Sequence, residues 1–172
     1  MTNLMKISIT VMIVLIVASL AIGVWALFLR PDPPPLTPDY APTEKEEHSE
    51  KIEGDDDTKL EAPTGGGAVN VTCSPEATID LSDRTVSLYF ANPGRSTQDM
   101  VIQIVIQDEI LVQSGRIEPG NQVRRLDMTK DAANRLTIGG YDAKLVAHFY
   151  DPDTGEKSIV NAEVPITVTV TE

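Results

Sequence analysis

The sequence predicts an all-β domain, an antiparallel β-sandwich of about seven short strands, preceded by one transmembrane helix and a disordered linker. Two observations carry this prediction. Residues 7–29 contain no charged side chain, and from residue 69 onward apolar side chains recur at every second position. The 172 residues leave room for one soluble domain. The predicted boundaries are a cytoplasmic stub (1–6), a transmembrane helix (7–29), a stalk (30–68) and the β-sandwich domain (69–172).

The uncharged run is closed by Lys6 and Arg30. A helix of this length rises about 34 Å, enough to cross a hydrocarbon core of about 30 Å. The run exceeds the 7–15 apolar residues typical of a cleaved signal peptide, which favours a retained anchor over the alternative of a cleaved signal. Basic residues flanking the span give a small bias toward a cytoplasmic stub. We therefore expect a single-pass protein of the cell membrane that contacts lipid through residues 7–29, with its C-terminal domain extracytoplasmic.

The stalk is predicted from composition. Prolines are dense between residues 31 and 42, charged residues dominate between 44 and 57, and three glycines occupy 65–67. A segment with so few apolar side chains cannot bury enough surface to offset its ordering entropy. Asp55-Asp56-Asp57 has a calcium-binding alternative, but it lacks the spacing of a calcium loop, which favours a solvated charge run.

Alternation with period two predicts the strands of the domain. Apolar residues of one parity mark four of them: Val86, Leu88 and Phe90; Ile102, Ile104 and Ile106; Tyr141, Ala143, Leu145, Ala147 and Phe149; Val164, Ile166, Val168 and Val170. Further strands are expected near residues 69–73, 78–81, 110–114 and 122–128, with only residues 129–136 helical in pattern. Turn residues separate them, which is typical of an antiparallel β-sandwich.

Two short motifs carry a resemblance. The Pro-Gly turn within Ile117–Val123 and the Gly140-Tyr141 pair resemble the corresponding turns of bacterial immunoglobulin-like domains. The resemblance covers residues 69–172 and implies an immunoglobulin-like β-sandwich in which Tyr141 is similar to the tyrosine-corner residue. The whole arrangement is also similar to single-pass proteins of Gram-positive bacteria, from which no activity carries over.

Charge and cysteine usage limit the partners. The net charge of −12 repels phosphate backbones, so no nucleic acid partner is expected. Cys73 is the one cysteine. We expect it to act as a small apolar residue in a strand, with an intermolecular disulfide, and hence a homo-oligomer, as the alternative.

The sequence offers little chemistry, and we expect no catalytic, cofactor-binding or metal-ligating residues and no cofactor. His148 has parity opposite to Leu145 and Phe149, so it is expected to face solvent or the second face of the sheet as an exposed strand residue. The acidic turn from Asp151 to Glu156 fits a hairpin better than a calcium site. Gln103 and its outward neighbours are either ordinary strand residues, which we favour, or a docking face.

The leading functional hypothesis is a noncatalytic, membrane-anchored extracytoplasmic module for protein interaction or adhesion at the cell envelope, with an unknown envelope protein as partner. The first alternative is an accessory or catalytic subunit of an envelope hydrolase, with a cleft near His148 or Asp151. The second alternative is a calcium-stabilised adhesive module.

Overall fold

The computed structural model describes Met12, Ile16 and residues 38–64, 66–129 and 132–172. The chain divides into two units, Met1–Pro35 and Leu36–Glu172. Most of the predicted transmembrane helix, the stub and residues 30–37 lie outside the described residues. Within the part of the chain that is described, no helix is long and apolar enough to cross a membrane.

The second unit is all-β, which confirms the predicted class. Its described residues form nine strands and one short 3-10 helix, Ala132–Arg135, inside the segment with the helical pattern. In chain order the strands are β1 (Ser49–Lys51), β2 (Thr72–Cys73), β3 (Glu76–Asp80), β4 (Thr85–Asn92), β5 (Asp99–Ile106), β6 (Glu109–Gln113), β7 (Asn121–Asp127), β8 (Gly139–Tyr150) and β9 (Lys157–Thr171). Strand β1 was not predicted, and β9 begins earlier than the alternation indicated.

These strands form one hydrogen-bonded sheet in the order β1-β7-β4-β3-β9-β8-β5-β6, with β2 paired to β4. All neighbours are antiparallel except β3 and β9, which run parallel from Glu76↔Thr167 to Asp80↔Thr171. The expectation of a purely antiparallel arrangement is therefore wrong at this pair. Alternation in a sequence shows which face of a strand is buried, but it does not show the direction of the neighbouring strand.

The sheet curls around a single apolar core to which β3 through β9 all contribute. The predicted inward faces of β4, β5, β8 and β9 are buried in this core. Strands β5 and β8 are also buried on the opposite face, which we call the outer face. Its buried members are Asp99, Val101 and Gln103 on β5, and Val146, His148 and Tyr150 on β8.

The Tyr141 hydroxyl bonds to backbone just upstream of it and forms a corner before β8. It donates to the Thr137 carbonyl at 2.9 Å and accepts from the Thr137 amide at 3.1 Å. These bonds fix the chain just before β8. Hydrogen bonds from the Thr137 side-chain hydroxyl and from the Thr137 amide lower the pKa of Tyr141, because both stabilise the phenolate.

Residues 38–64 and 66–68, which we call the strap, lie along the domain. Tyr40 forms a bridge with Glu156 beside the β8–β9 turn, and Lys45 forms one with Arg116. Strand β1 then adds to the edge of β7, from Ser49↔Val123 to Lys51↔Asn121. The prediction of a disordered stalk is therefore corrected over these residues.

Polar bonds to loop backbone hold the strap, which explains why composition is misleading here. A Glu46 carboxylate oxygen accepts from the Gly115 amide at 2.7 Å, and an Asp55 oxygen accepts from the Gly94 amide. The Lys59 ammonium donates to the Gly94 carbonyl at 2.7 Å. Hydrogen bonds to charged groups are stronger than neutral ones, so these contacts order a segment that has little apolar surface. Asp55 is thus bonded to the domain, which corrects the expectation of a solvated acidic run at that residue.

Glycine at position 115 allows the strap to approach the domain. A β-carbon there would lie 2.8 Å from the Glu46 backbone nitrogen, whereas one at Gly140 would meet nothing within 4 Å. Gly115→Ala should therefore push the strap away and speed hydrogen exchange at the Glu46 and Arg116 amides, with a loss of about 1–3 kcal/mol in unfolding free energy. Gly140→Ala is the control. Unchanged exchange in Gly115→Ala would contradict this account of the strap.

Candidate functional site

A row of three polar side chains crosses the outer face, and we call it the polar row: Gln113 on β6, Gln103 on β5 and His148 on β8. The Gln103 amide nitrogen donates to the Gln113 side-chain oxygen at 2.8 Å. The Gln103 oxygen lies 3.2 Å from His148 Nε2. With the amide in this orientation, His148 Nε2 carries the proton and donates it, which leaves Nδ1 as a bare acceptor.

His148 is only 4 % exposed. It lies on the second face, as one reading of the sequence allowed, but the expectation of an exposed side chain is wrong. The strap crosses the same face at its Tyr150 end. The Tyr150 hydroxyl donates to the Pro38 carbonyl at 3.2 Å, and the Arg116 amide donates to the Glu44 carbonyl at 3.0 Å.

Burial sets the protonation state of His148. Desolvation, together with the positive charge of Lys157, lowers its pKa from 6.5 to about 4, while Glu163 opposes the shift. The imidazole is therefore neutral at neutral pH. Its Nδ1 atom is buried and has no hydrogen-bond partner.

A cavity of about 280 Å³ opens beside the polar row. Its apolar wall comes from Val105, Ile110 and Val146. Its rim is charged and polar, with Lys144 and Glu163 paired at 3.7 Å and with Asp108 and Asn161 nearby. His148 is among the residues that line this cavity, but its Nδ1 atom is itself closed to solvent.

A second buried ionisable group, Asp99, lies at the strap end of the outer face. Burial raises its pKa, and the nearby Arg116 opposes this effect. The Arg116 Nε atom is 3.6 Å from an Asp99 carboxylate oxygen, too far for a hydrogen bond, and has no other partner. Arg116 also pairs with Glu118 at 3.5 Å, so this cluster is a structural ion pair network under the strap.

The acidic turn after β8 has the geometry of a hairpin. One Asp151 carboxylate oxygen accepts from the amides of Asp153 and Thr154 at 3.0 and 2.8 Å, which lowers the pKa of Asp151. Gly155 has a φ of +72°, as the turn requires. The turn's own amides use this carboxylate, and in the described part of the chain no three His, Cys, Asp or Glu side chains converge on a metal-sized site.

Cys73 lies in β2 opposite Phe90 and packs against the core, as the strand interpretation predicts. Burial raises the pKa of its thiol. A disulfide to a second copy stays an untested alternative.

Catalysis by His148 would need an orienting carboxylate and a nucleophile. The ring nitrogen instead contacts an amide, Gln103, which holds its position without raising its basicity. The described groups around it can bind a ligand through hydrogen bonds, but they do not form an acid–base pair.

The other notable surface lies on β9. Opposite Phe149, the strand bulges between its pairings Tyr150↔Lys157 and His148↔Asn161. The bulge exposes Ile159 fully, and it leaves Val160 66 % exposed. Beyond it, residues 161–166 pair with β8 on one side, and no described strand pairs with their other side, since β3 first meets β9 at Thr167.

Comparisons with known proteins add little to this geometry. No protein-family model matches the chain, and no curated protein matches it. Among solved structures, the crystal structure of AggA, the major subunit of aggregative adherence fimbriae type I from Escherichia coli, is similar at a TM-score of 0.31 and 12 % identity. The match covers 65 % of this chain and 100 % of that chain. A similarity at this level carries no argument about function.

Sequence reasoning missed the partners of His148. Parity placed it on the second face with Gln103, but only the pairing of β5 with β8 shows that the two side chains meet. The apolar residues Val101 and Val105 on that face could have indicated that it is buried, because a solvent-exposed face of a strand is usually polar.

The lowered pKa of His148 predicts a pH dependence of stability. The unfolded chain binds a proton below about pH 6.5, but the folded chain does so only near pH 4, so stability is lost as pH falls between these values. Between pH 7 and pH 5, the wild type should lose about 1–2 kcal/mol more unfolding free energy than His148→Gln. Urea denaturation at the two pH values measures this difference.

His48→Gln serves as the control for replacing a histidine elsewhere in the chain, at the half-buried position in the strap. Equal losses in His148→Gln and the wild type would show that the imidazole is not held neutral by the fold.

Proposed function

We propose that this chain is a noncatalytic, membrane-anchored, extracytoplasmic β-domain that binds an extended segment of another envelope protein along β9. The observation that supports this most directly is the exposed pair Ile159 and Val160 beside the unpaired edge of β9. Exposed β-branched residues next to an open strand edge favour strand addition by a partner.

The edge has the elements that strand addition needs. Residues 161–164 continue the regular pairing with β8 after the bulge, so their other backbone groups point away from the sheet. Pro165 then removes one amide donor, which limits the length that a partner can occupy. A short added strand would gain backbone bonds there and apolar contacts with Ile159.

Charge favours a basic partner. The chain carries a net charge of −12, so two copies would repel each other at close approach, whereas a segment rich in Lys or Arg would be attracted. We therefore propose a basic, extended segment of a different protein as the occupant. A second copy of this chain is the competing occupant that the experiment below separates from it.

The pairing pattern supports an immunoglobulin-like interpretation of the fold. Strand β3 pairs with β4 on one side and runs parallel to β9 on the other, so it connects two halves of the curled sheet, β3-β4-β7 and β9-β8-β5-β6. The corner formed by Tyr141 lies at the start of β8, where immunoglobulin-type sandwiches have theirs. The strand addition proposed above requires only the β9 edge, not this assignment.

The membrane anchor is supported by the sequence of residues 7–29.

The anchor has a direct test. The full chain should remain in the membrane pellet after extraction at alkaline pH, and a chain without residues 7–29 should move to the supernatant, because the apolar run is what binds lipid. Protease added to intact cells should cleave the domain if it is extracytoplasmic. Finding the full chain in the supernatant would contradict the anchor, and protection from protease would contradict the orientation.

The β9 edge is tested by photo-crosslinking in intact cells. A photoreactive residue at position 159 should crosslink to a basic segment of another envelope protein, and the same probe at Ile138, which is 64 % exposed, is the matched control. Sequencing of the crosslinked peptides identifies the partner. The proposal would be wrong if position 159 crosslinked only to other copies of this chain, or no more than position 138.

A further inference from the structure

The β8–β9 hairpin carries a second cavity, of about 640 Å³, which we call the bulge pocket. It is lined by Gly66 and Gly67 of the strap, by the turn after β8 and by the first residues of β9. The exposed pair Ile159 and Val160 belongs to this lining, and the unpaired edge of β9 follows directly at residues 161–164. A segment added along that edge therefore ends beside a cavity of the size that ligand sites have.

The buried polar group of the bulge pocket is Gln98, which is only 6 % exposed. Its side-chain oxygen accepts from the Ser158 hydroxyl, and a β-carbon at Gly67 would collide with the amide, so close packing fixes its position. Its Nε2 atom donates to no described residue, yet it is not closed to solvent as His148 Nδ1 is. A buried amide with an unused, accessible donor favours a ligand that supplies an oxygen acceptor, such as a peptide carbonyl.

Free carboxylate oxygens give the bulge pocket its charge. The Glu156 carboxylate is exposed and has no hydrogen bond or ion pair with any described residue. One Asp151 oxygen serves the turn, and the other has no partner in the described part of the chain. Lys157 also lines the pocket, so two carboxylates stand against one ammonium. The balance attracts a cation.

The apolar part of the lining selects the kind of cation. It consists of Val69, Phe149, Ile159 and Val160. A long side chain with an apolar stem and a charged end matches such a surface. Arginine fits better than lysine, because its planar fork of donors can serve several carboxylate oxygens and it is less strongly hydrated than an ammonium group.

We propose that the bulge pocket binds an arginine residue of the partner segment, with its guanidinium at Glu156 and Asp151 and its backbone carbonyl accepting from Gln98 Nε2. The inference rests on the proposed function for the segment that carries this arginine, and it names the residue by which the segment is recognised. Backbone bonds to residues 161–164 are the same for every sequence, whereas the pocket selects one side chain.

Two small probes of one shape test the pocket: N-acetyl-arginine N-methylamide and its neutral citrulline analogue. The full chain is held at pH 7 in nanodiscs of zwitterionic phosphatidylcholine, so that the lipid does not attract the basic probe. The arginine probe should shift the side-chain amide resonance of Gln98 saturably. The citrulline probe keeps the carbonyl and loses the charge, so it should bind about three- to fivefold more weakly. High salt should reduce this difference.

Glu156→Gln removes one negative charge from the pocket. Because the Glu156 carboxylate bonds to no described residue, the variant should fold, and the arginine probe should lose most of its advantage over the citrulline probe. Asp153→Asn is the matched control, since it removes the same charge from the same turn at a residue that does not line the pocket. It should leave the preference for arginine nearly unchanged.

A longer probe, the capped peptide Thr-Val-Arg-Val-Thr, separates the pocket from strand addition. Strand addition should slow hydrogen exchange at the outward amides of residues 161–164, whereas binding in the pocket is read at Gln98. Protection of the edge without a shift at Gln98 would leave the proposed function standing and overturn the pocket. A shift at Gln98 without protection of the edge would support the pocket and contradict strand addition.

Three further outcomes would overturn the proposal. No saturable shift at Gln98 with the arginine probe would show that the pocket does not take this residue. Equal binding of the two small probes would show that charge plays no part. An equal loss of preference in Glu156→Gln and Asp153→Asn would show that the net charge of the turn attracts the probe, without the pocket.

Discussion

The structure depends on the parallel pairing of β3 with β9. Five residue pairs, from Glu76↔Thr167 to Asp80↔Thr171, join the two halves of the sheet, and β3 is held at the same time by β4. The pairing helps to keep the apolar faces of the two halves packed against each other. With it, Ile79 and Val170 are buried in the same core as Phe90 and Leu145.

Closure of the sheet explains why a second layer of burial is possible. Once the inner face is enclosed, the outer face of β5 and β8 is available to the strap, which bonds to Tyr150 and Arg116. The strap is held by acidic side chains that accept hydrogen bonds from the amides of loop glycines, rather than by apolar side chains packed into a core. Over residues 99–103 of β5 and 146–150 of β8 both faces are buried, although the strap itself is polar.

The sequence indicated the features that local rules control. Alternation identified the inward residues of β4, β5 and β8, and the Gly140-Tyr141 pair indicated the corner, because both depend on neighbours along the chain. The sequence did not predict the parallel pairing or the strap. Each depends on which backbone groups, distant along the chain, still lack a hydrogen-bond partner once the other strands have paired. Composition was a poor guide for the strap, because Glu46 and Asp55 each bond one specific amide.

The same distinction applies to the candidate site. Alternation placed His148 and Gln103 on one face of the sheet. Whether that face is buried depends on the segments that cross it, and the sequence of β8 does not show that the strap crosses there. Burial of His148 has a chemical consequence as well as a geometric one. A residue that would titrate near neutrality in water is held in one state, with one nitrogen committed to Gln103.

The bulge at Ile159 and the proline at position 165 bracket the unpaired side of β9. Only four residues of regular backbone remain between them, about 13 Å of strand. A partner strand could form few backbone hydrogen bonds there before it reached the bulge or the proline. We therefore expect a strand added along such a short stretch to dissociate quickly.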